Sequence, residues 1–501
     1  MHTYSEPSEK KSKLTEFKVI RSTSGKKNLY DIIVIGAGSG GLSVGLSMHQ
    51  LGFDVLLVDK NDKAIGGECL NTGCVPSKAL IHVSRQVHAA KKAANYGFQI
   101  QGEIDMIKVK NYVDEKREII RKHENASYFE DLGIDVALGT ARFISKDSIE
   151  VGNKIFTGRK IVIATGSRPR KLDVPGVEMV KYYDNESIFD LEYLPEKLLI
   201  VGGGPIGMEL GQAFQRLGSK VTIIHNDELI MTKEDPEITK ILMRKLEEEG
   251  MKFYLNAKIK KFNNANEAVI ECDDKKDIIL DCNAVLVGIG RELNFKELEL
   301  ENAEVEVEDG KIITDSYLRT TNKRIYLSGD VAGNLKFSHG AELHATLLVN
   351  NFLSPIRKKL SFETFPWVTF TDPEVATFGL SEKEIKEKGI KYEKRVMDFE
   401  EDDRAVVGDY QYGKLILFLE KSFFFPGNSK IIGGSMIAPH AGEITQELVL
   451  ANAAGIKSSE IFNKIYAYPT SARVNKTIMI NRYNEFLTPF IKKMLKFLYR
   501  L

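Results

Sequence analysis

Two segments of this chain follow one design, and that repetition constrains the fold more than any other feature. Residues 31–35, Asp-Ile-Ile-Val-Ile, read as a buried parallel strand, and Gly36, Gly38 and Gly41 follow in a G-x-G-x-x-G pattern. A helix over 42–51, a second strand over 55–58 and a strand-end acid, Asp59, come next. Each part has a physical role. The glycines let backbone approach a pyrophosphate, the helix N-terminus presents unpaired N–H groups and positive dipole, and the acid accepts from ribose hydroxyls. The design recurs as a strand over 198–201, then Gly202, Gly204 and Gly207, a helix over 208–217 and a strand over 221–224. Asp59 lies 23 positions after Gly36, and 23 positions after Gly202 stands His225. A carboxylate there would favour the 2′-hydroxyl of NAD and repel a 2′-phosphate. Histidine, with Lys233 nearby, tilts the second unit toward NADPH over NADH; the plainer reading of His225 is an inert strand-end residue.

Composition narrows the setting. The 501 residues suffice for about three domains. Lysine plus arginine equals aspartate plus glutamate at 70 each, so no whole-chain field draws this protein to nucleic acid. Four cysteines are too few for a secreted disulfide scaffold and fit a reducing cytoplasm. Residues 1–28 are polar and lysine-rich, without the apolar core of a secretory signal, and read as a flexible arm. No run approaches the ~20 apolar residues that span a bilayer, and no residue set reads as a resident metal site.

Between the two units lies Gly66-Gly67-Glu68-Cys69-Leu70-Asn71-Thr72-Gly73-Cys74-Val75-Pro76-Ser77-Lys78. A regular helix would separate residues five apart by about 7.5 Å of rise, too far for a disulfide. Cys69 is therefore expected in a loop or distorted turn folding back on Cys74, with Gly73 easing the bend. A helix running on through Lys78 and Ala79 would place its positive end near the thiols and favour a thiolate.

This segment resembles the active-site signature of the pyridine nucleotide-disulfide oxidoreductases, the family of dihydrolipoamide dehydrogenase, glutathione reductase and mercuric reductase. The resemblance runs over residues 30–480. Ile163-Ala164-Thr165-Gly166, Gly290-Arg291, Ile325-Tyr326-Leu327-Ser328-Gly329-Asp330, Phe337-Ser338-His339 and Thr369-Phe370-Thr371-Asp372-Pro373-Glu374-Val375-Ala376 resemble further family motifs in family order. The resemblance implies an α/β protein with two Rossmann-like nucleotide-binding domains and a C-terminal α/β dimerisation domain. It implies a discontinuous FAD domain over 29–175 and 295–360, an NAD(P) domain over 176–294, an interface domain over 361–480 and a homodimer. Gly36, Gly38, Gly41, Asp59, Lys60, Gly67, Lys78, Ala141, Thr165, Gly166, Asp330 and His339 are then the FAD residues. Gly202, Gly204, Gly207, His225 and Gly290 serve the nicotinamide nucleotide. Cys74 becomes the charge-transfer thiolate, Cys69 the interchange thiol, and Lys78 the lysine near flavin N5, paired with Glu209.

The sequence also departs from the disulfide-reducing members. They carry His-Pro-x-x-x-Glu near the C-terminus, whereas this chain has Tyr468-Pro469-Thr470-Ser471-Ala472-Arg473, and its last histidine is His440. A histidine is worth roughly 10²–10⁴ in acid–base catalysis, and a tyrosine with pKa near ~10 is a poor acceptor. Lys233-Glu234-Asp235-Pro236, Asp403-Arg404-Ala405 and Pro439-His440-Ala441-Gly442-Glu443 resemble the mercuric-reductase-like branch, as does Tyr468. Yet no cysteine follows Cys282 and none precedes Cys69, so the C-terminal pair and N-terminal metal module of that branch are missing. Cys272 and Cys282 read as strand residues. The leading expectation is an NAD(P)H-dependent reductase working through Cys69 and Cys74 on a disulfide, metal ion or electrophile. The alternatives are a flavin-level reductase of quinone or oxygen and a low-turnover redox sensor.

Residues 481–501 close the chain as a basic amphipathic helix. Beyond Pro489, Phe490, Ile491, Met494, Leu495, Leu498 and Leu501 recur at helical spacing among Lys492, Lys493, Lys496 and Arg500. Two expectations stand: docking on the chain's own surface, or peripheral membrane contact through 483–501.

Overall fold

The computed structural model describes residues 28–273, 276–421 and 426–500. The expected N-terminal arm, Asn28 apart, lies outside them. The chain divides into two compact units.

Unit one comprises the chain up to Gly66, Lys122–Thr165 and Phe295–Leu353. Its seven-stranded sheet places Leu29–Ile35 between Val55–Asp59 and Lys154–Ile163, all parallel. Ile33 sits opposite Leu56 on one side and Ile161 on the other, and Ile32, Ile33 and Val34 are wholly buried. A continuous apolar run is what a parallel strand covered on both faces requires. The strand Ile325–Leu327 pairs with Lys154–Ile163, so the late segment returns to the sheet that Leu29–Ile35 begins. The helices Ser39–Gln50 and Ser338–Leu353 pack against each other.

Unit two holds Gly67–Arg121, Gly166–Asn294 and Ser354–Leu501. A five-stranded parallel sheet runs in the order Lys252–Tyr254, Lys220–Ile224, Lys197–Val201, Ala284–Val287, Tyr182–Tyr183. Beside it stands a three-stranded antiparallel sheet, 257–281. The C-terminal part is a five-stranded antiparallel sheet ordered Pro366–Thr369, Glu374–Gly379, Ile431–Ala438, Lys414–Glu420, Tyr392–Asp398. By compactness residues Gly67–Arg121 group with unit two. The reason is packing: Ala79, Leu80 and Ile81 of the helix Cys74–Lys92 share one core with Ile200, Met208 and Leu210. Among the described residues no helix is long and apolar enough to cross a membrane.

In unit one, His344 is wholly buried, and its Nδ1 accepts the Gly329 N–H at 3.1 Å. Burial pushes its imidazole down to about 4. The unfolded chain therefore takes up a proton near pH 6.5 that the folded chain refuses until about pH 4. Stability should fall by about 3 kcal/mol between those limits and be flat above them. His344→Asn keeps an acceptor for Gly329 and should remove that part of the slope, measured by denaturant unfolding between pH 4 and 7.5. An unchanged slope would show that His344 is not its source.

Candidate active site

The first cradle lies in unit one. Gly36 has φ +102°, and a Cβ on it would stand 2.4 Å from the Ala164 carbonyl oxygen. A Cβ on Gly41 would meet the Gly36 carbonyl at 1.8 Å. Only glycine lets these turns close so tightly. Gly38 caps the helix Ser39–Gln50, whose first N–H groups are left for a ligand. Asp59 closes the loop from below: its Oδ2 accepts the Ala37 N–H at 2.7 Å, and its Oδ1 accepts the Lys60 N–H at 2.7 Å. Burial raises the Asp59 carboxyl, against the pull of those N–H groups and of Lys60. The Ser328 hydroxyl, also in this unit, is buried with no partner among the described residues. A glycine cradle over a helix N-terminus, backed by a strand-end acid, fits the pyrophosphate and ribose of FAD. Thr165 follows the strand Lys154–Ile163, Asp330 lies in the turn Gly329–Ala332, and His339 stands in the first turn of the helix Ser338–Leu353. The Lys60 side chain pairs with Glu297 at 3.2 Å in the open. Ala141 is buried in the core of unit one, which leaves only its backbone for a ligand.

The second cradle, in unit two, repeats the geometry with one exchange. Gly202 has φ +118°, and its Cβ would stand 2.3 Å from the Gly288 carbonyl; a Cβ on Gly207 would meet the Gly202 carbonyl at 2.2 Å. Gly204 caps the helix Pro205–Leu217 and faces open space. Where Asp59 accepts the Ala37 N–H, His225 Nδ1 accepts the Gly203 N–H at 3.2 Å. Burial holds the His225 imidazole below its usual range, although Asp227, 3.4 Å from Nε2, opposes this. A neutral ring with Nδ1 as acceptor is the form the loop requires. These residues fit a nicotinamide dinucleotide. Gly290, at φ +108°, precedes the short strand Arg291–Leu293, which pairs with Ser167–Pro169; Gly166, at φ +68°, accepts the Asn294 N–H at 3.0 Å.

The cysteines stand at a break between two helices. Cys69, expected in a loop or distorted turn, lies in the short helix Gly67–Asn71, and the interruption falls at Thr72–Gly73. A Cβ on Gly73 would be 2.9 Å from the Glu68 carbonyl and 3.4 Å from Cys69 Cα, so the chain recrosses its own path there. Cys74 is the first residue of the 19-residue helix Cys74–Lys92, at its positive end. One turn on, Lys78 Nζ donates to Glu209 Oε2 at 2.6 Å and lies 4.5 Å over the Phe370 ring. Glu209 Oε1 accepts the Phe370 N–H at 2.8 Å.

Sequence reasoning missed the clamp on this hairpin. Glu68, immediately before Cys69, accepts from both terminal nitrogens of Arg291, one at 2.7 Å, and from Asn185 Nδ2 at 2.7 Å. Asn185 also donates to the Thr72 carbonyl at 3.3 Å, and Arg291 Nε to Ser167 Oγ at 2.7 Å. The available signal was an acid touching the first cysteine and an arginine after Gly290, but nothing in the sequence pairs them.

Tyr468 stands apart from the other candidates. It is 67 % exposed and lines an open pocket of about 530 Å³ with Asp403, Ile465, Tyr466, Arg473 and Lys476. Its hydroxyl donates to Asp403 Oδ2 at 3.1 Å, and the Arg473 guanidinium lies 5.2 Å from its ring. Asp403 raises its pKa, so the phenol stays protonated near neutral pH. Cys272 ends the strand Glu267–Cys272, while Cys282 lies one residue past Asp277–Asp281, where burial pushes its thiol up to about 11.

Family comparison agrees with this arrangement. Residues 30–345 match the pyridine nucleotide-disulphide oxidoreductase family, and 365–478 match its dimerisation domain. The chain belongs to that family: it is an FAD-dependent oxidoreductase that uses NAD(P)H, and a homodimer fits its dimerisation domain. It is 31 % identical to a mercuric reductase of Bacillus cereus over 451 residues, covering 88 % of this chain and 70 % of that one. It is also 31 % identical to the mitochondrial dihydrolipoyl dehydrogenase of Pisum sativum, covering 91 % and 92 %. The HOCl-induced flavoprotein disulfide reductase RclA from Escherichia coli superposes with a TM-score of 0.78 at 25 % identity, covering 90 % of this chain and 99 % of that one.

Removing one partner from a charge-assisted pair costs about 1.5–3 kcal/mol. Glu68→Ala should therefore destabilise the enzyme by about that amount and speed alkylation of reduced Cys69 several-fold, with FAD content unchanged. Unfolding curves and iodoacetamide kinetics test this; wild-type alkylation rates would show that the clamp does not hold the hairpin.

Proposed function

We propose that this enzyme draws preferentially on NADPH and delivers electrons through Cys69 and Cys74 to a thiophilic metal ion or small electrophile, in preference to a disulfide. The cytoplasm, where thiols stay reduced, is the setting that its sparse cysteines favour. Bound FAD and NAD(P)H supply the hydride-transfer chemistry that reduces the cysteine pair. Cys74, at the helix N-terminus, is the thiol we assign to the flavin side. Cys69, on the short preceding helix, is the thiol we assign to the acceptor, and the Lys78–Glu209 ion pair stands one turn into the helix that Cys74 opens.

Tyr468 carries the choice of acceptor. Reducing a disulfide needs a group that takes a proton from the attacking thiol and returns it to the departing thiolate near neutral pH. Tyr468, its phenol raised by Asp403, can donate a hydrogen bond but does not take that proton. A metal ion binds thiolates directly. As the Cys69 and Cys74 thiols close to the disulfide, two electrons pass to one Hg(II) or to two Cu(II) ions and two protons to solvent, with no leaving thiolate to protonate. The relatives named mercuric reductase, and the structural relative solved as a Cu(II) complex, support the same reading.

Enzyme reduced anaerobically with NADPH should be reoxidised at least tenfold faster by Hg(II) or Cu(II) than by glutathione disulfide or lipoamide, and Cys69→Ser should abolish the metal reaction. Faster turnover of a disulfide would sink the reading. Quinone reduction as fast as the metal reaction and untouched by Cys69→Ser would place the activity at the flavin.

Two further outcomes test the assigned residues. Reduction should develop a long-wavelength absorbance from the Cys74 thiolate against the flavin, and Cys74→Ser should remove it; an unchanged band would take Cys74 out of that role. His225→Glu should shift the kcat/KM ratio toward NADH by about tenfold, the effect of roughly 1.4 kcal/mol at the 2′ position. No shift would show that this position does not read the ribose.

A further inference from the structure

The terminal helix carries an apolar face that nothing among the described residues covers. It runs Pro489–Tyr499, with the Thr488 hydroxyl accepting the Ile491 N–H at 3.3 Å. The preceding helix, Val474–Phe486, docks well: it buries Val474, Asn475, Ile478, Met479 and Arg482. Past Leu487 this stops, and no residue of the terminal helix is buried. Phe490 is 76 % exposed, Phe497 64 % and Leu498 54 %. Docking on the chain's own surface, the first of the two expectations for this segment, would have buried that face.

The arrangement of charge identifies an occupant. At about 100° per residue, Phe490, Ile491, Met494, Leu495, Phe497 and Leu498 occupy one arc of roughly 160°. Lys492, Lys493, Lys496 and Arg500 occupy a separate arc of roughly 100° opposite it. Segment 489–501 has four basic residues and no acidic one, in a chain with no net charge. Pairing this face with the same face of a second copy would use the apolar arc but leave the basic arc, which has no acidic residue beside it in the segment, without countercharge. The helix has 11 residues, about 16 Å, and cannot cross a ~30 Å hydrocarbon core.

We propose that the terminal helix lies in the surface of an anionic lipid bilayer, its aromatic and aliphatic arc among the upper acyl chains and its lysines at the headgroup phosphates. This rests on the helix alone, independent of which acceptor the cysteines serve. An enzyme held there works next to the bilayer without spanning it.

Flotation of the FAD-loaded enzyme with phosphatidylcholine vesicles, with or without a quarter phosphatidylglycerol, tests the proposal. The full chain should bind the anionic vesicles at least tenfold more than a chain ending at Leu487, and more than it binds neutral vesicles. Lys492→Gln and Lys496→Gln should each weaken binding about fivefold, and Phe497→Ser with Leu498→Ser should abolish it, while NADPH-dependent flavin reduction stays at the wild-type rate. These exposed positions keep the test valid if the truncated chain folds poorly. Equal flotation of full and shortened chains would overturn the proposal, as would no flotation at all. If the shortened chain elutes as a monomer, the full chain as a dimer, and neither floats, the face is a contact between subunits and the membrane reading is wrong.

Discussion

The pairing of Lys78 with Glu209 is the interaction on which unit two depends. Glu209 is 7 % exposed, and an ionised carboxylate stranded there would cost several kcal/mol. Lys78 and the Phe370 N–H answer its two oxygens. Lys78 lies four residues into the helix that Cys74 opens, and Glu209 four residues into the helix that Pro205 opens. One ion pair therefore sets the start of the cysteine helix against the start of the nucleotide helix, and Phe370 passes the same constraint to the antiparallel sheet. Farther along, Lys91 Nζ donates to the Arg216 carbonyl at 2.9 Å and keeps the two helices together. Apolar packing fills the interface, but it is tolerant of sliding. The buried charge is not, because any shift of a turn strands it.

A second charged device works on a smaller scale. The Glu68 carboxylate, held by Arg291 and Asn185, fixes the short helix carrying Cys69 from one side, while the backbone crossing at Gly73 limits it from the other. Tyr468 is treated differently: it is exposed, with one carboxylate and one guanidinium for company.

Much of this was legible in the residues. The glycine spacing predicts both strand–helix–strand cradles because few other patterns satisfy so tight a turn. The position of each strand-end residue follows from counting. The failures have a common cause. Glu68 and Arg291 are 223 positions apart, and no periodicity links them. The helix around Cys69 has five residues, too few to leave a repeating pattern. The apolar face of Cys74–Lys92 looks the same whichever core receives it, so the sequence does not show that this helix shares a core with Ile200, Met208 and Leu210. The amphipathic tail shows that a face exists, and only the structure shows that the described residues leave it bare.

The exchange of Asp59 for His225 has a consequence beyond nucleotide preference. Both side chains hold the same loop N–H at the same point of the same turn, one with a formal charge and one without. A chain with two near-copies of one cradle risks loading either dinucleotide into either place. A single atom type, carboxylate oxygen or imidazole nitrogen, differs between the two while the turn itself is unaltered. Exchanging one acceptor for the other needs no new architecture, only a different side chain under the same loop.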